Sequence, residues 1–99
     1  MLNINQTTDE KKVTLALEGR LDTNTAPQLE EALSGMLDGM ESLILDFEKL
    51  DYVSSAGLRV LLSAQKTMTK QGEMKVIHVN ETVNEIFEVT GFCDILTIE

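Results

Sequence analysis

Two hydrophobic periodicities alternate along this chain in a regular order, and this alternation limits its possible folds more than any other feature. Near the N-terminus, apolar residues recur at every second position, which is typical of strands with one more polar face. These positions are Leu2 and Ile4, followed by Val13, Leu15 and Leu17. Because Asp9 and Glu10 lie between the two runs, the first two strands are predicted to form an antiparallel hairpin.

The next segment has the spacing of a helix. Its apolar residues recur at i, i+3, i+4, i+7, i+8 and i+11, which places them on one face. They are Leu29, Ala32, Leu33, Met36, Leu37 and Met40. Thr25 and Gln28 have the spacing of a capping box, and Pro27 is tolerated in a first turn. A helix is therefore predicted from Thr25 to about Met40.

Two further helices are predicted, each between apolar strands. Ser54 and Ser55 open the second helix, and Gly72 ends it. Asn80 is the predicted N-cap of the third helix, and Gly91 stops it. The apolar strands beside these helices cover residues 43–47, 74–79 and 95–98. Since the first of these runs is almost continuously apolar, we expect it at a sheet centre that is covered on both faces.

The resulting order is β-β-α-β-α-β-α-β, which predicts one α/β domain over residues 1–99, with a mixed, largely parallel sheet flanked by helices. The predicted core comprises the residues with inward periodicity: Leu15, Leu17, Leu33, Leu37, Leu43, Leu45, Leu58, Leu61, Leu62, Val76, Ile77, Ile86 and Phe87. The ends of parallel strands and the helix starts that follow them share one edge of such a sheet. That edge is predicted to collect Asp22, Asp51, Ser54, Ser55 and His78.

The charge balance excludes several classes of function. The chain has 8 Lys and Arg against 17 Asp and Glu, a formal net charge of −9, which repels nucleic acid and anionic membrane surfaces. No apolar run approaches the roughly 20 residues of a membrane span, and the N-terminus lacks a signal-peptide layout. The protein is thus expected to be cytoplasmic, without direct membrane insertion. Its lone cysteine, Cys93, is interpreted as a small buried apolar residue rather than a reactive thiol.

The pair Ser54-Ser55 is the first candidate functional feature. A serine at a helix start commonly caps an orphan amide and stabilises the helix by about 1 kcal/mol, and one cap needs only one serine. If Ser54 is the cap, Ser55 becomes the first helical residue, with a hydroxyl that can face solvent at the positive end of the helix dipole. The small residues Ala56 and Gly57 would then let another protein approach the backbone closely. Capping and tight packing are the alternative explanation.

A longer stretch carries a family resemblance. Residues 50–62 read Leu-Asp-Tyr-Val-Ser-Ser-Ala-Gly-Leu-Arg-Val-Leu-Leu and resemble the Asp-Ser-Ser/Thr-Gly-Leu signature of the STAS family of anti-sigma-factor antagonists. Residues 19–22 and 25–27 resemble the Gly-x-Leu/Ile-Asp loop and the helix start of that family. Residues 43–47 and 89–92 are similar to its central strand and its late Gly-Leu/Phe turn. The resemblance extends over nearly the whole chain, in the family's order.

The resemblance implies a partner-switching protein. In its unphosphorylated form such a protein binds an ATP-dependent serine kinase that doubles as an anti-sigma factor, and this binding releases the sigma factor. Phosphorylation ends the binding, and a serine phosphatase opposes it. The family's acceptor serine corresponds to Ser55, and its loop aspartate near the kinase surface corresponds to Asp22. The partner-binding residues expected on this basis are Asp22, Thr23, Ser54, Ala56, Gly57 and Arg59.

Two residues depart from the family pattern. Ser54 stands where the family usually has Asp, so a helix cap is retained while a local negative charge is lost. Ser54 thereby becomes a second candidate acceptor. Arg59 stands where the family often has Gly, which adds a long cation one turn into the helix.

The sequence lacks the residues that enzymatic alternatives require. A hydrolase elbow needs Gly where this chain has Val53, and His78 is the only histidine available as a base. One His and one Cys do not make a zinc site, and a phosphate-binding loop is absent, so neither a metal nor a cofactor is expected. The non-enzymatic alternative is a constitutive STAS scaffold, or an accessory subunit of a signalling assembly or transporter, in which Ser55 is only a cap.

Overall fold

The computed structural model describes residues 2–99, and its helices and strands follow the order predicted from the sequence. The elements are β1 Leu2–Asp9, β2 Lys12–Leu21, α1 Ala26–Leu33, β3 Ser42–Val53, α2 Ser55–Gln71, β4 Glu73–Ile77, α3 Glu81–Thr90, a 3₁₀ turn Phe92–Asp94, and β5 Thr97–Ile98.

The five strands lie in the sheet in the order of the sequence. β1 pairs with β2 in antiparallel orientation, and β2–β3, β3–β4 and β4–β5 are parallel pairs, which confirms the predicted mixed, largely parallel sheet. From β2 to β5, each new strand is added to the sheet beside the strand before it, and always in the same direction across the sheet. Because strand-helix-strand crossovers are right-handed almost without exception, crossovers that all step in one direction place their helices on one face of the sheet.

The burial of β3 reflects this one-sided cover. Leu43, Leu45 and Phe47 are inaccessible to solvent, whereas the alternate residues Ile44 and Asp46 are only half-buried. The expectation that this strand is covered on both faces is therefore wrong. We call the face that carries Ile44 and Asp46 the open face of the sheet.

The covered face holds the hydrophobic core. Most of the predicted core residues are buried, namely Leu15, Leu17, Leu33, Leu37, Leu43, Leu45, Leu58, Leu61, Val76 and Phe87. Leu62, Ile77 and Ile86 are half-buried instead, because Ile77 points to the open face and the other two lie at the margins of their helices. The ring centres of Phe47 and Phe87 are 6.3 Å apart, so α3 packs directly against β3.

Helix α1 is shorter than predicted. It ends at Leu33, and the chain continues through turns in which Gly35 and Gly39 have φ angles of +85° and +81°. These left-handed conformations interrupt a helix, although Leu37 from the same apolar series remains buried. The hydrophobic spacing was therefore correct about which side faces the core and wrong about the helix length.

The start of α1 also differs from the prediction, because there is no capping box. The Gln28 side-chain amide donates to the Leu2 carbonyl at 2.8 Å. The Thr25 hydroxyl donates to the Arg20 carbonyl at 2.7 Å and accepts from the Asp22 amide at 2.8 Å. Thr25 and Gln28 thus hold the helix start to β2 and β1 rather than to each other.

The other helix boundaries follow the prediction. The Asn80 side chain caps α3 by accepting from the Val83 amide at 2.8 Å, and Gly91 ends that helix with a φ angle of +82°. Gly72 ends α2 at a position where a side chain would collide with the backbone of Glu41.

Strands β2 and β3 are longer than the sequence pattern indicated. They remain paired as far as Leu21 and Val53. Strand β3 has two extra residues opposite β2, one after Asp46 and one after Leu50, and each forms a bulge. Leu50 and Val53, beyond the first bulge, are buried. The bulges break the period-2 pattern, which is why the predicted strand stopped early.

The last part of the chain corrects one further interpretation. Cys93 is exposed, because the turn after α3 packs Phe92 against the core and leaves Cys93 at the surface. Within residues 2–99, no helix combines the length and the apolar character needed to cross a membrane.

Candidate functional site

The candidate site lies where β3 ends and α2 begins. Ser54 is the N-cap of α2, and its Oγ accepts a hydrogen bond from the Gly57 amide at 3.3 Å. The Ser54 amide donates to the Leu21 carbonyl at 2.8 Å, which ties the start of α2 to the end of β2. Ser55 is the first residue of α2 and is exposed. Ser54 therefore has the capping role, and the Ser55 side chain lies at the surface.

Gly57 allows the start of α2 to approach β2 closely. It is buried, and a Cβ atom at this position would lie 2.7 Å from Leu21 Cγ and 3.0 Å from the Leu21 oxygen. The prediction that Gly57 leaves room for a partner is therefore wrong, because Leu21 fills that room. Its neighbour Ala56 is half-buried. We assign Gly57 a packing role that fixes the position of Ser55.

The Asp22 side chain organises the loop after β2. Its Oδ1 accepts hydrogen bonds from the Asn24 amide at 3.0 Å and from the Thr25 amide at 3.1 Å. The Asp22 carbonyl accepts from the Ala26 amide at 2.8 Å, which joins the loop to α1. Asp22 is thus a loop-structuring residue in addition to being a candidate partner contact.

The surroundings of Asp22 favour its charged form. Partial desolvation acts to raise the pKa of Asp22, but hydrogen bonds from the Thr25 and Asn24 amides and the Thr25 hydroxyl, with the charge of Arg20, outweigh it. The pKa is consequently held below its usual value of 3.8. Arg20 Nε lies 3.9 Å from Asp22 Oδ2. The loop therefore presents a carboxylate to any partner at neutral pH.

A cation stacked on an aromatic ring borders the loop. Arg20 and Tyr52 face each other across β2 and β3, and Arg20 Cζ lies 4.5 Å from the centre of the Tyr52 ring. This pair was not predicted from the sequence, because the contact depends on the strand register beyond the two bulges. Both residues do occur within the segments that resemble the STAS signature.

Most of the predicted site residues are brought together at this edge. β2 and β3 end as the pair Leu21–Val53, so the Asp22 loop and the start of α2 leave the sheet side by side. Thr23 and Ser55 are exposed on these two segments, and Arg59 is exposed one turn further along α2.

His78 contacts a different part of the molecule. It follows β4 with a φ angle of +56°, and its Nδ1 lies 3.0 Å from Asp46 Oδ1. The hydrogen bond to Asp46, together with the charge of the same carboxylate, raises the pKa of His78. Asp51 is exposed near the end of β3. Asp46 was not predicted from the sequence to be the partner of His78.

An apolar surface adjoins the site on the side of Tyr52. A shallow depression of about 410 Å³ is lined by Tyr52, Thr82, Ile86 and Val89, which we call the α3 patch. Val89 is 82% exposed. Exposed clusters of large apolar side chains are characteristic of interaction surfaces, so the α3 patch is suited to contact another protein.

Comparison with known proteins places these features in a family. The STAS domain profile matches residues 3–99. BtrV of Bordetella bronchiseptica, provisionally named an anti-sigma factor antagonist, is 39% identical over 84 residues, which are 83% of this chain and 72% of that protein. The anti-sigma-B factor antagonist of Staphylococcus aureus is 31% identical over 99 residues, which are 98% of this chain and 92% of that protein.

Solved structures share the fold. The unphosphorylated form of the anti-sigma factor antagonist SpoIIAA matches with a TM-score of 0.84 at 19% identity, covering 98% of this chain and 88% of that chain. The phosphorylated form of SpoIIAA, a Bacillus cell fate determinant, matches with a TM-score of 0.75 at 18% identity, covering 98% and 91%. These matches confirm the α/β fold with its mixed sheet and three helices.

Proposed function

The chain belongs to the STAS family of anti-sigma-factor antagonists, and we propose that it is a partner-switching protein controlled by phosphorylation of Ser55. In this proposal the unmodified chain binds an anti-sigma factor that is also a serine kinase, and the phosphorylated chain is released. A serine phosphatase restores the binding form. Anti-sigma-factor antagonists are non-enzymatic regulatory proteins. Because sigma factors act on RNA polymerase, the proposed place of action is the cytoplasm.

The observation that carries this proposal is the division of tasks between the two serines. Ser54 accepts from the Gly57 amide and donates its own amide to Leu21, so its atoms are committed to the fold. Ser55 is exposed at the first position of α2. A kinase can therefore reach the Ser55 hydroxyl without opening the structure, and we assign the acceptor role to Ser55.

The chemistry of a phosphate at this position explains a switch. Phosphoserine carries about −1.5 to −2 charges at neutral pH, and the amino end of a helix stabilises negative charge. The phosphorylated chain should thus keep its fold. A partner that buries the same dianion without a matching cation loses several kcal/mol, which weakens binding by about a hundredfold or more.

The proposed contact surface surrounds Ser55. It comprises Asp22 and Thr23 from the loop after β2, and Ser54, Ala56 and Arg59 from the start of α2. Asp22 supplies a fixed carboxylate, and Arg59 supplies an exposed cation on the same edge. Charges of both signs on one surface increase the specificity for one kinase among several more than they increase the binding affinity.

The proposal is tested with purified chain and the anti-sigma serine kinases of its own organism. Each kinase is incubated with the chain and ATP, and the labelled residue is located by mass spectrometry. We expect phosphate on Ser55. Ser55→Ala should abolish labelling and keep kinase binding, because a methyl group removes the acceptor without adding charge or bulk.

Two matched variants separate Ser55 from its neighbours. Ser54→Ala should lower stability by about 1 kcal/mol through loss of the cap while leaving Ser55 open to labelling. Ser63→Ala, at another exposed serine of α2, should change neither property. Phosphate on Ser54 would overturn the assigned acceptor. If the chain binds a partner and no kinase labels it, the constitutive scaffold is the correct function.

A further inference from the structure

A histidine and two carboxylates converge on the open face of the sheet, away from the contacts that organise the Ser55 edge. Asp46, Glu48 and His78 each offer one potential ligand atom, and these three atoms all lie within 4.8 Å of one another. Asp46 and Glu48 belong to β3, and His78 follows β4. The pairing of β3 with β4 therefore creates the cluster, with Asp46 opposite Ile77 in the register.

Hydrogen bonds position Asp46 and His78 within the cluster. Asp46 Oδ1 accepts from the Glu48 amide at 3.0 Å, which orients the Asp46 carboxylate at the first bulge. His78 has a left-handed backbone, and its Nδ1 lies 3.0 Å from the same Oδ1. Because a carboxylate only accepts hydrogen bonds, the proton between these two atoms is held on His78 Nδ1.

We propose that Asp46, Glu48 and His78 form a binding site for one divalent transition-metal ion of the Zn²⁺ type. Such an ion binds imidazole nitrogen and carboxylate oxygen at about 2.0–2.2 Å, so neighbouring ligands of a tetrahedral ion lie about 3.4 Å apart. The observed separation of His78 Nδ1 and Asp46 Oδ1 is already close to that distance. Binding at Nδ1 leaves the single ring proton on Nε2, so a neutral imidazole shifts its proton from Nδ1 to Nε2, and an imidazolium releases one proton to the solvent.

The type of ligand and the space available narrow the choice of ion. An imidazole ligand favours zinc and its neighbours in the first transition row, whereas magnesium and calcium prefer oxygen ligands alone. Glu48 and His78 are exposed, which leaves room for water at the remaining coordination positions. A site that is open to solvent in this way is suited to a dissociable ion.

This inference revises the expectation that the chain holds no metal. Histidine and cysteine are the usual ligands of structural zinc sites, and the sequence has only one of each. Asp46 and Glu48 are separated from His78 by about a third of the chain, and sequence spacing did not indicate that they meet. The proposal does not depend on phosphorylation of Ser55.

The test uses the untagged full chain after removal of metals with a chelator. The chain has one histidine, so selective ¹⁵N labelling of histidine gives a signal from His78 alone. Titration with ZnCl₂ should shift the His78 Nδ1 resonance and saturate at one ion per chain in calorimetry. Titration with MgCl₂ at the same concentrations should leave the resonance in place.

Two variants and one control determine whether Glu48 and His78 are ligands. Replacing a residue that only hydrogen-bonds to a metal ligand already weakens metal affinity about 10–100-fold. Replacing a ligand itself should have at least this effect, so Glu48→Gln and His78→Gln should each weaken Zn²⁺ binding by more than about tenfold. The Glu48 side chain is exposed, so its loss does not threaten the fold. Glu31→Gln removes the same charge from an exposed position on α1 and should leave the affinity unchanged.

Two results would overturn the proposal. The first is the lack of saturable binding of Zn²⁺ by the wild-type chain. The second is equal affinity in the wild type and in Glu48→Gln, which would identify a lone surface imidazole paired with Asp46 by an ordinary hydrogen bond.

Discussion

The substitution Gly57→Val tests whether the close contact between α2 and β2 stabilises the start of the helix that carries the proposed acceptor. A Cβ atom at position 57 would lie 2.7 Å from Leu21 Cγ and 3.0 Å from the Leu21 oxygen, and valine adds two methyl groups beyond it. Extra methyl groups in a packed contact cost about 1–3 kcal/mol, and replacing glycine by valine in a helix returns only about 0.3 kcal/mol. We therefore expect a loss of about 2 kcal/mol in the free energy of unfolding, which lowers Tm by about 8–16 °C.

The assay is urea unfolding of the single variants and of a double variant. Leu21→Ala alone should cost about 2–5 kcal/mol, because Leu21 is fully buried. It also deletes the side-chain atoms that collide with Val at position 57 and leaves only the carbonyl contact. The two changes should therefore be coupled by at least about 1 kcal/mol. Strict additivity would refute the packing argument, and Ala56→Val, at the half-buried neighbour, should cost less than Gly57→Val.

Three further predictions concern the core, the loop and the α3 patch. Leu61→Ala should lower the free energy of unfolding by about 2–5 kcal/mol in urea melts, because Leu61 is fully buried. Leu62 is half-buried on the same helix, and Leu62→Ala should lower it by about 1 kcal/mol. Equal losses would show that this helix face is assigned wrongly. Folding lowers the pKa of Asp22, so the Asp22 carboxylate stabilises the folded chain. This stabilisation is complete at pH values above the pKa of Asp22 in the unfolded chain, and it is lost as the pH falls through the pKa in the folded chain. The difference in stability between the wild type and Asp22→Asn should shrink on acidification below 3.8, and a constant difference would contradict this. We further propose that the α3 patch extends the contact surface around Ser55. Val89→Lys should then weaken binding of the proposed kinase partner at least about tenfold in calorimetry, and Ile95→Lys, at the other exposed large apolar residue of the region 2–99, should not. Equal effects would show that the α3 patch lies outside the interface.

The helix boundaries that were predicted correctly are those set by residues close to them in the sequence. Asn80 and Gly91 mark the bounds of α3 because a capping amide and a left-handed glycine act within a few residues of themselves. Ser54 was identified as a helix cap for the same reason. The length of α1 was wrong because apolar spacing continues beyond Leu33, although Gly35 leaves the helical conformation.

Contacts set by strand register could not be read from the sequence. Arg20 stacks on Tyr52 only because β2 and β3 stay paired beyond the two bulges. The contact of Asp46 with His78 likewise requires the pairing of β3 with β4. Even the exposure of Cys93 depends on which residue of a single turn packs against the core. The missed features are therefore those in which residues distant in sequence meet.

The contacts of Leu21 explain how an exposed residue can occupy a fixed position. Leu21 pairs with Val53, accepts the Ser54 amide through its carbonyl, and fills the space that Gly57 leaves. These three contacts hold both sides of Ser55 to the buried end of β2, while the Ser55 side chain itself contributes nothing to them. A phosphate added to Ser55 thus changes the charge of the surface without disturbing the packing beneath it. Loss of partner binding on phosphorylation should accordingly come with a nearly unchanged free energy of unfolding, and a large change in stability would mean that the switch acts through the fold.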